Sequence, residues 1–474
     1  MSTTPPTFDL VVVANRLPVD RVDGPTGPTW VTAPGGLVTA LEPILAAREG
    51  AWVGWPGVPD ETVEPFTADS ISLVPVRLSA DEVEAYYEGL SNSTIWPIYH
   101  DVIVPATFER SWWQAYLRVN DRFAARAAEV AAPGATVWVQ DYQLQLVPQM
   151  LRERRPDVRI GYFAHIPFPP YELFAQLPWR TDIVKGMLGA DLIGFQIDAD
   201  ADNFLRATRA LTGLSRRRGQ LRVPDLSTAG TRGVTVTDFP ISIDSAALSA
   251  LAASPEVAAQ AAQVRADLGG RRIILGVDRL DYTKGIRHRL QAYAELLAEG
   301  RIDPAEVVLV QVATPSRERV EDYRRLRDEV ELIVGRVNGD YASIGQPAVV
   351  YLHQNHDRAA MAALYRAADV MLVTPLRDGM NLVAKEYVAA RVDGDGVLIL
   401  SEFAGAAVEL RQALLINPHD IAGVKDAIVR AVGMPSGDRR ARMRRLRRVV
   451  LQRTVQRWAA DFFTELSGNG AVAS

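Results

Sequence analysis

The sequence contains no cysteine, and several absences narrow the possible functions before any motif is considered. Without cysteine the chain has no disulfide, no thiolate nucleophile and no cysteine ligand for a metal. It also lacks the GxSxG motif of many hydrolases and the GxxxxGK[ST] phosphate loop. No aspartate pair flanked by apolar strand residues is present, as a metal-dependent sugar transferase would have. We therefore expect neither a metal nor a cofactor.

Strong net charge and long apolar segments are missing as well. The net charge is -5 over 474 residues, so neither nucleic acid nor a membrane surface is a predicted partner. No apolar run approaches the roughly 18 residues of a membrane-spanning helix. The N-terminus, MSTTPPTFDLVVVANR, lacks the basic region of a signal peptide. These features predict a cytoplasmic protein.

Short apolar runs alternate with helical patterns along most of the chain. Runs this apolar are typical of parallel strands that are covered on both faces. Alternation of strands and helices with short loops predicts an α/β fold with parallel sheets. The predicted strands are Phe8–Ala14, Thr136–Gln140, Ile160–His165, Asp191–Gln196, Arg272–Val277, Val307–Ala313, Val349–Leu352, Val370–Thr374 and Val397–Ser401.

The strand pattern ends once and then starts again, which predicts two domains. The first set of strands ends with Val234–Ile243, and the alanine-rich segment Asp244–Gln263 that follows is predicted to be helical. We predict two Rossmann-like doubly wound domains, 1–243 and 244–455, with a C-terminal helix and tail, 456–474, packing back on the first domain. Ligands of such folds bind at the carboxyl ends of the strands, so two domains facing each other would form a cleft there.

The segment GVDRLDYTKG, residues 276–285, begins as a strand and places two cations in the following loop. A loop next to a helix N-terminus is a natural anion site. Arg279 offers a fork of donors and Lys284 a mobile point charge, so together they could neutralise a diphosphate. The alternative is that they pair with Asp278 and Asp281 on the surface.

The segment TPLRDGMNLVAKE, residues 374–386, passes from a strand through a glycine turn into a helix that starts near Asn381. Backbone N–H groups at the start of a helix suit a phosphate. Asp378 could accept hydrogen bonds from sugar hydroxyls and Glu386 from a ribose. The alternative is a capping aspartate and a solvated glutamate.

Other polar and aromatic residues near predicted strands each have an ordinary structural explanation when taken alone. Glycine pairs are common in turns, strand-end histidines are more often structural than catalytic, and aromatic side chains are often part of a core. These candidates are Arg16, Gly36 in a Gly-Gly turn, Tyr87 and Trp96 around SNSTIWP, Asp141, His165 and Arg317.

In this order the motifs resemble the trehalose-6-phosphate synthase family, which are retaining glycosyltransferases of the GT-B architecture. The resemblance extends from residue 8 to about residue 410. It implies transfer of glucose from UDP-glucose or ADP-glucose to glucose 6-phosphate, giving α,α-trehalose 6-phosphate and a nucleoside diphosphate. The motifs are VVVANR, APGGL, WVGWPG, YYEGLSNSTIWP, YLRVN, VQDYQL, GYFAHIPFP, DLIGFQ, DRLDYTKG, TPSRERVEDY, GRVNGDY, TPLRDGMNLVAKEYVAA and SEFAGAA.

The resemblance also implies a role for each matching residue. His165 would lie near the anomeric carbon, and Trp52 or Trp55 would help to line the acceptor pocket. The residues implied in catalysis are Arg279, Lys284, Asp378 and His165. Those implied in binding the acceptor are Arg16, Tyr87, Trp96, Asp141 and Arg317. Those implied in binding the donor are Gly36, Arg279, Lys284, Asp378, Leu382, Val383 and Glu386.

One departure and several alternatives remain. The family usually has HDYH where this chain has QDYQ, residues 140–143, so any role of the two histidines is lost here.

The alternative functions are a same-fold transferase with another phosphorylated acceptor, a non-catalytic sugar-phosphate sensor, and a pyridoxal-phosphate phosphorylase. We also expect a homo-oligomer. Arg439–Arg448 is predicted to be a solvated helix face, with a phosphate or partner patch as the alternative.

Overall fold

The structure is a computed structural model in which the chain divides into two compact units. The first unit is Met1–Pro240 with Gln456–Ser474, and the second is Ile241–Val455. In the described part of the chain, no helix combines the length and the apolar character needed to cross a membrane. The described residues are 7–24, 27–33, 38, 41–42, 45, 48–217, 219–226, 228–317 and 319–468.

The first unit contains a nine-stranded sheet with the order β10-β11-β9-β8-β7-β1-β4-β6-β5. Its neighbouring strands are parallel except at the edges, where β10 and β5 run antiparallel to their neighbours. A separate antiparallel pair, β2 and β3, follows the first strand. The strands are β1 Phe8–Arg16, β2 Val19–Gly24, β3 Gly27–Thr32, β4 Ala51–Trp55, β5 Phe66–Ala68, β6 Ile71–Pro75, β7 Ala131–Gln140, β8 Arg159–Phe163, β9 Leu192–Phe195, β10 Gln220–Pro224 and β11 Thr231–Asp238.

The second unit contains a six-stranded, wholly parallel sheet with the order β14-β13-β12-β15-β16-β17. Its central strands are buried along most of their length, which confirms the prediction from the apolar runs. The α/β fold class is therefore confirmed. The strands are β12 Arg272–Arg279, β13 Val307–Thr314, β14 Val349–Leu352, β15 Val370–Val373, β16 Val397–Ser401 and β17 Leu414–Ile416.

Helices connect the parallel strands in both units. One of them, Val83–Ile95, is a π-helix, a form that is rare at this length and frequent near functional sites. The α-helices that lie wholly within the described ranges are α1 Ala80–Glu82, α2 Trp96–Tyr99, α3 Arg110–Val130, α4 Val147–Arg154, α5 Tyr171–Phe174, α6 Arg180–Met187, α7 Asp198–Thr212, α8 Ser245–Ala253, α9 Pro255–Asp267, α10 Ile286–Ala298, α11 Glu321–Tyr341, α12 Arg358–Ala367, α13 Leu382–Ala390, α14 Ile421–Val432, α15 Ser436–Gln452 and α16 Val455–Gly468. Short 3-10 turns lie at Tyr142–Leu144, Tyr282–Lys284 and Gly405–Val408.

Two predicted elements near residue 250 differ from the structure, and proline explains both. The strand predicted over Val234–Ile243 ends at Asp238, just before Pro240, which has no N–H to donate to a sheet. The single helix predicted over Asp244–Gln263 is two helices. Ser254 caps the second by accepting a hydrogen bond from the Val257 N–H at 3.2 Å, and Pro255 takes its first position.

Helix α16 supplies aromatic side chains to the core of the first unit. Trp458 and Phe462 lie on the ring of Trp138, with centroids 5.1 and 4.4 Å away. Gly161 in β8 and Gly194 in β9 leave room for Phe462, because a Cβ at either position would lie within 3 Å of its ring. The glycines of the GYFAHIPFP and DLIGFQ motifs therefore have a packing role.

The arginine-rich segment Arg439–Arg448 lies on α15 and is only partly solvated. Arg439 binds the Asp395 carboxylate at 2.7 and 3.0 Å, and Arg447 donates to two backbone carbonyls of α13. Arg444 and Arg448 are exposed. The predicted solvated face thus describes some of these arginines, while others hold α15 against its neighbours.

The nine-stranded and the six-stranded sheet each have one point at which the strand order reverses, and predicted site residues lie at both points. In the first unit the reversal lies between β1 and β7, and in the second between β12 and β15. Crossover connections leave a sheet in opposite directions at such a point, which opens a crevice at the carboxyl ends of the strands. Arg16 and Asp141 lie at the first reversal, and Lys284 and Asp378 at the second.

Candidate active site

A cavity of about 370 Å³ lies at the strand reversal of the first unit. We call it the first-unit cavity. Its walls include Arg16 from the end of β1, Trp52 from β4, Tyr87 from the π-helix, and Gln140 with Asp141 from the end of β7. Three of the five predicted acceptor residues are therefore brought together in one unit.

The guanidinium of Arg16 is held at the cavity wall and remains accessible. It lies 2.9 Å from the Asp20 carboxylate and 5.1 Å from the centre of the Trp55 ring, with 43% of the side chain exposed. Gly57 passes directly beneath it with a φ of +87°, and a Cβ there would overlap the guanidinium. The second glycine of WVGWPG makes room for this arginine, a role that the sequence interpretation missed.

Asp141 has a backbone conformation that is almost confined to glycine. Its φ is +72° and its ψ is 173°, a combination that costs on the order of 1–3 kcal/mol in a side-chain-bearing residue. The Asp141 N–H donates to the Phe163 carbonyl at 2.7 Å, and the carboxylate accepts from the His165 N–H at 3.0 Å. These contacts hold the carboxylate at the cavity wall in spite of the strain.

His165 is half-buried and its ring faces Gln140, the residue where the family usually has histidine. The ring Nε2 lies 2.9 Å from the Gln140 Oε1. Burial lowers the pKa of His165 to about 3, because the charged imidazolium would lose its hydration. The imidazole is therefore neutral at physiological pH.

The aromatic residues of YYEGLSNSTIWP have different environments. Tyr87 is half-buried and lines the first-unit cavity, whereas the hydroxyl of its neighbour Tyr86 donates to Asn15 at 2.8 Å. Trp96 is 3% exposed and stacks on His100 with centroids 4.0 Å apart. Trp96 is absent from the described residues that line this cavity, so its contact with the acceptor stays a prediction.

In the second unit, two predicted donor residues from distant parts of the sequence form an ion pair at the strand reversal. The Lys284 Nζ lies 2.6 Å from the Asp378 carboxylate, and both side chains are largely buried. Arg279 is 47% exposed and lies 4.0 Å from Asp281. Arg279 therefore pairs with Asp281, as the alternative has it, but Asp278 and Asp281 are buried, so the carboxylates do not lie on the surface.

Three loops that follow β12, β15 and β16 are locked together around this pair. Gly285 in the first loop packs so closely on the Thr374 carbonyl that a Cβ would overlap it. In the third loop, the Ala406 N–H donates to the Met380 carbonyl at 2.7 Å, and the Phe403 carbonyl accepts from the Asp378 N–H at 3.1 Å. The SEFAGAA motif therefore buttresses the loop that carries Asp378.

A buried arginine that the sequence interpretation missed ties the first two loops together. Arg289 is 0% exposed and donates to the Lys284 carbonyl at 3.0 Å and to the Thr374 hydroxyl at 2.9 Å. It also lies 2.6 Å from Asp278, whose pKa burial raises to about 6 in spite of the arginine. The available signal was its spacing, since Arg289 shares one face of α10 with Ile286 and Tyr293.

Arg317 lies in the loop after β13, in the second unit. Its backbone is left-handed, with a φ of +49°, and its side chain donates to the Tyr323 hydroxyl and lies 3.6 Å from Asp281. Burial would raise the pKa of Asp281, but attraction to Arg317, Arg279 and Lys284 outweighs burial and lowers it. Arg317 is thus oriented by a buried, ionised carboxylate.

Helix α13 begins directly after the Asp378 loop. Asn381 caps it by accepting from the Ala384 N–H at 3.0 Å, and it donates to Asp378 at 3.2 Å. The N–H groups of Leu382 and Val383 belong to the first turn, where a helix offers no internal acceptor.

Glu386 is half-buried on the same helix and accepts from the Tyr365 hydroxyl at 2.7 Å, and burial raises its pKa. Gly36 lies outside the described residues.

Comparison with known proteins identifies the family. The family model of Glycosyltransferase family 20 matches residues 9–468. A trehalose-6-phosphate synthase from Mycolicibacterium gilvum is 57% identical, and the match covers 99% of this chain and 96% of the relative.

Two solved structures are also similar. One is an α,α-trehalose-phosphate synthase (UDP-forming) from Burkholderia xenovorans in complex with glucose-6-phosphate, with a TM-score of 0.87 and 33% identity over 97% of this chain and 99% of that one. The other, from E. coli, is bound with UDP-2-fluoro glucose and has a TM-score of 0.86 and 34% identity over 96% and 98% of the two chains. The resemblance to trehalose-6-phosphate synthases is confirmed, and the chain is a glycosyltransferase that belongs to Glycosyltransferase family 20.

Proposed function

We propose that the protein transfers glucose from a nucleotide-glucose to glucose 6-phosphate and releases α,α-trehalose 6-phosphate and a nucleoside diphosphate. The observation that carries the proposal is the Lys284–Asp378 contact of 2.6 Å at the strand reversal of the second unit. An ammonium group, which suits a phosphate, and a carboxylate, which suits sugar hydroxyls, lie side by side there, and this supports binding of a sugar diphosphate.

The proposal assigns the donor to the second unit. Arg279 and Lys284 hold the diphosphate, Asp378 holds glucose hydroxyls, the N–H groups of Leu382 and Val383 bind phosphate, and Glu386 binds the ribose. Uracil is the proposed base because an E. coli relative is bound with UDP-2-fluoro glucose. ADP-glucose is the alternative donor.

The acceptor is assigned to the first-unit cavity. Arg16 and Tyr87 bind the phosphate and Asp141 a sugar hydroxyl. Arg317 keeps its predicted role in binding the phosphate. A relative from Burkholderia xenovorans is in complex with glucose-6-phosphate, which supports this acceptor. Trp96 and Gly36 keep their predicted roles, in the acceptor pocket and beside the donor.

In the proposed reaction, the anomeric hydroxyl of the acceptor attacks the anomeric carbon of the donor on the face that the diphosphate leaves. The new glycosidic bond forms as the bond to the diphosphate oxygen breaks, and that oxygen takes the hydroxyl proton. Charge develops on the diphosphate, where Arg279 and Lys284 stabilise it. His165 lies near the reacting carbon as a neutral imidazole. No metal is required.

An activity screen tests the proposal. UDP-, ADP- and GDP-glucose are each incubated with glucose 6-phosphate, glycerol 3-phosphate or glucose, with and without EDTA. We expect trehalose 6-phosphate only from glucose 6-phosphate, fastest with UDP-glucose and unaffected by EDTA, with α,α linkage by proton NMR. Ligand binding without turnover would instead favour the sensor, and turnover with glycerol 3-phosphate a different acceptor. Light scattering tests the predicted homo-oligomer.

A further inference from the structure

Gln140 is a buried side chain at the first-unit cavity that the proposed reaction does not use. It is the last residue of β7, is 1% exposed and forms part of the cavity wall. A buried amide is normally saturated with hydrogen bonds. Here the carbonyl faces His165, whereas the amide nitrogen has no hydrogen-bond partner among the residues that the structure describes.

The contact with His165 fixes where that ring carries its proton. An amide oxygen only accepts hydrogen bonds, so in the amide orientation that puts the Gln140 Oε1 2.9 Å from the His165 Nε2, that nitrogen is the donor. Because burial lowers the pKa of His165 to about 3, the ring has a single N–H. Its other nitrogen, Nδ1, is therefore an acceptor.

We propose that Gln140 is a positioning residue that links His165 to the acceptor sugar: its carbonyl holds the imidazole as the Nε2–H tautomer, and its amide N–H donates to an oxygen of the sugar phosphate. The proposal rests on the proposed function for the identity of that oxygen. The tautomer does not depend on it.

This assignment restricts what His165 does. With Nε2–H bound to Gln140 and no second proton on the ring, His165 is unable to protonate the leaving diphosphate. It acts as a hydrogen-bond acceptor through Nδ1, which suits a sugar hydroxyl near the reacting carbon. The aromatic neighbours Phe163 and Trp458, with centroids 4.8 and 6.2 Å away, hold the ring plane.

The tautomer is tested by ¹⁵N NMR of the ligand-free protein with labelled histidine, using His165→Gln to identify the signals. We expect a protonated Nε2 and an unprotonated Nδ1 in the wild type. In Gln140→Met the two signals should move towards each other as the tautomers mix. Gln143→Met is the matched control for this readout, because Gln143 lines the same cavity, whereas the side-chain partner of the His165 ring in the described part of the chain is Gln140.

Kinetics test the second half of the proposal. Gln140→Met should lower kcat by about tenfold or more, as loss of a group that orients a histidine does, and should also raise KM for glucose 6-phosphate. KM for the nucleotide-glucose should stay constant. If Gln140→Met does not fold, Gln140→Asn replaces it as the test variant, because the shorter side chain moves the amide carbonyl away from His165.

The outcomes separate the two proposals. A wild-type Nδ1–H tautomer, or one unchanged in Gln140→Met, would overturn the role of Gln140 whatever the enzyme's substrates. An unchanged KM for glucose 6-phosphate in that variant would overturn the donation to the acceptor. Absence of turnover in the wild type, with the expected tautomer present, would refute the proposed function alone.

Discussion

The two strand reversals hold their charges in opposite ways. In the first unit, Arg16 and Asp20 are 43% and 46% exposed and meet at the wall of an accessible cavity. In the second unit, Lys284 and Asp378 are 10% and 14% exposed, and the Asp278–Arg289 pair behind them is buried. The first site presents Arg16 to solvent, and the second buries Lys284.

This difference determines how each site responds to a ligand and to mutation. An exposed ion pair contributes about 0–1 kcal/mol, so a phosphate can replace Asp20 at Arg16 with little loss. A buried pair is strongly coupled to its surroundings, and removal of one partner leaves a charge without compensation. Substitution of Arg16 or Asp20 should therefore leave the first unit folded, whereas substitution within the buried pairs of the second unit should cost structure as well as activity.

The largest expected effect comes from Arg289→Met. It leaves Asp278 buried without its arginine and releases the Lys284 carbonyl and the Thr374 hydroxyl, so we expect the second unit to lose about 3–5 kcal/mol of stability. Hydrogen exchange along β12 measures this loss. Arg287→Met is the matched control, since Arg287 is exposed on the same helix. Equal protection in both variants would mean that Arg289 does not hold the loops together.

Lys284→Ala should follow, with a loss of about 10²-fold in kcat, as expected when a preorganised group that stabilises developing charge is removed. Arg279→Ala should have a similar effect on kcat without destabilising the fold, because Arg279 is half exposed. Initial rates at saturating substrates measure both. Lys185→Ala, at an exposed lysine of the first unit, is the control. Wild-type turnover in either variant would contradict the proposed diphosphate contact.

The sequence predicted most of the central strands, because each of these is a continuous apolar run. It did not predict β4 and β6, which lie between Phe8–Ala14 and the next predicted strand. It predicted less well where one residue interrupts a pattern, as Pro240 ends β11 and Ser254 with Pro255 divides a helix. Composition and periodicity carry little information about such local breaks when the surrounding residues remain alanine-rich or apolar.

The site was predicted chiefly by resemblance, because its contacts join distant residues. Lys284 and Asp378 are separated by 94 positions, and only the order of the strands in the sheet brings them together. The sequence gives no sign of the strained backbone of Asp141 either, since aspartate is common after a strand in ordinary conformations. Arg289 was accessible to reasoning from helix spacing, but one arginine among apolar neighbours indicates burial without indicating its partners.

Acidification should act in opposite directions through two groups, His165 in the first unit and Asp278 in the second. The folded pKa of His165 is about 3 and its ordinary value 6.5, so its contribution to stability is complete above pH 6.5 and declines as the pH falls towards 3. The folded pKa of Asp278 is about 6 and its ordinary value 3.8. The buried charge therefore lowers the stability of the folded state above pH 6, and this loss of stability disappears as the pH falls from 6 to 4.

From pH 7 to pH 5 we therefore expect the first unit to lose about 2 kcal/mol through His165, at about 1.4 kcal/mol per pH unit below 6.5. Unit-resolved hydrogen exchange at the two pH values measures the change. His165→Gln should abolish it in the first unit and leave the second unaffected. The same loss in His165→Gln would show that other groups cause it.

The smallest expected effect is the difference in KM between substitution of Arg16 and substitution of its partner Asp20 in the first unit. Arg16→Ala should raise KM for glucose 6-phosphate by about tenfold or more, because a charge-assisted hydrogen bond contributes about 1.5–3 kcal/mol. Asp20→Asn should leave KM within about threefold of the wild type, since it removes only an exposed pair. Arg21→Ala is the control, at a neighbouring arginine that pairs with Glu61. A tenfold rise in Asp20→Asn would mean that the carboxylate holds Arg16 in its binding position, and the accessible site would then be as dependent on its ion pair as the buried one.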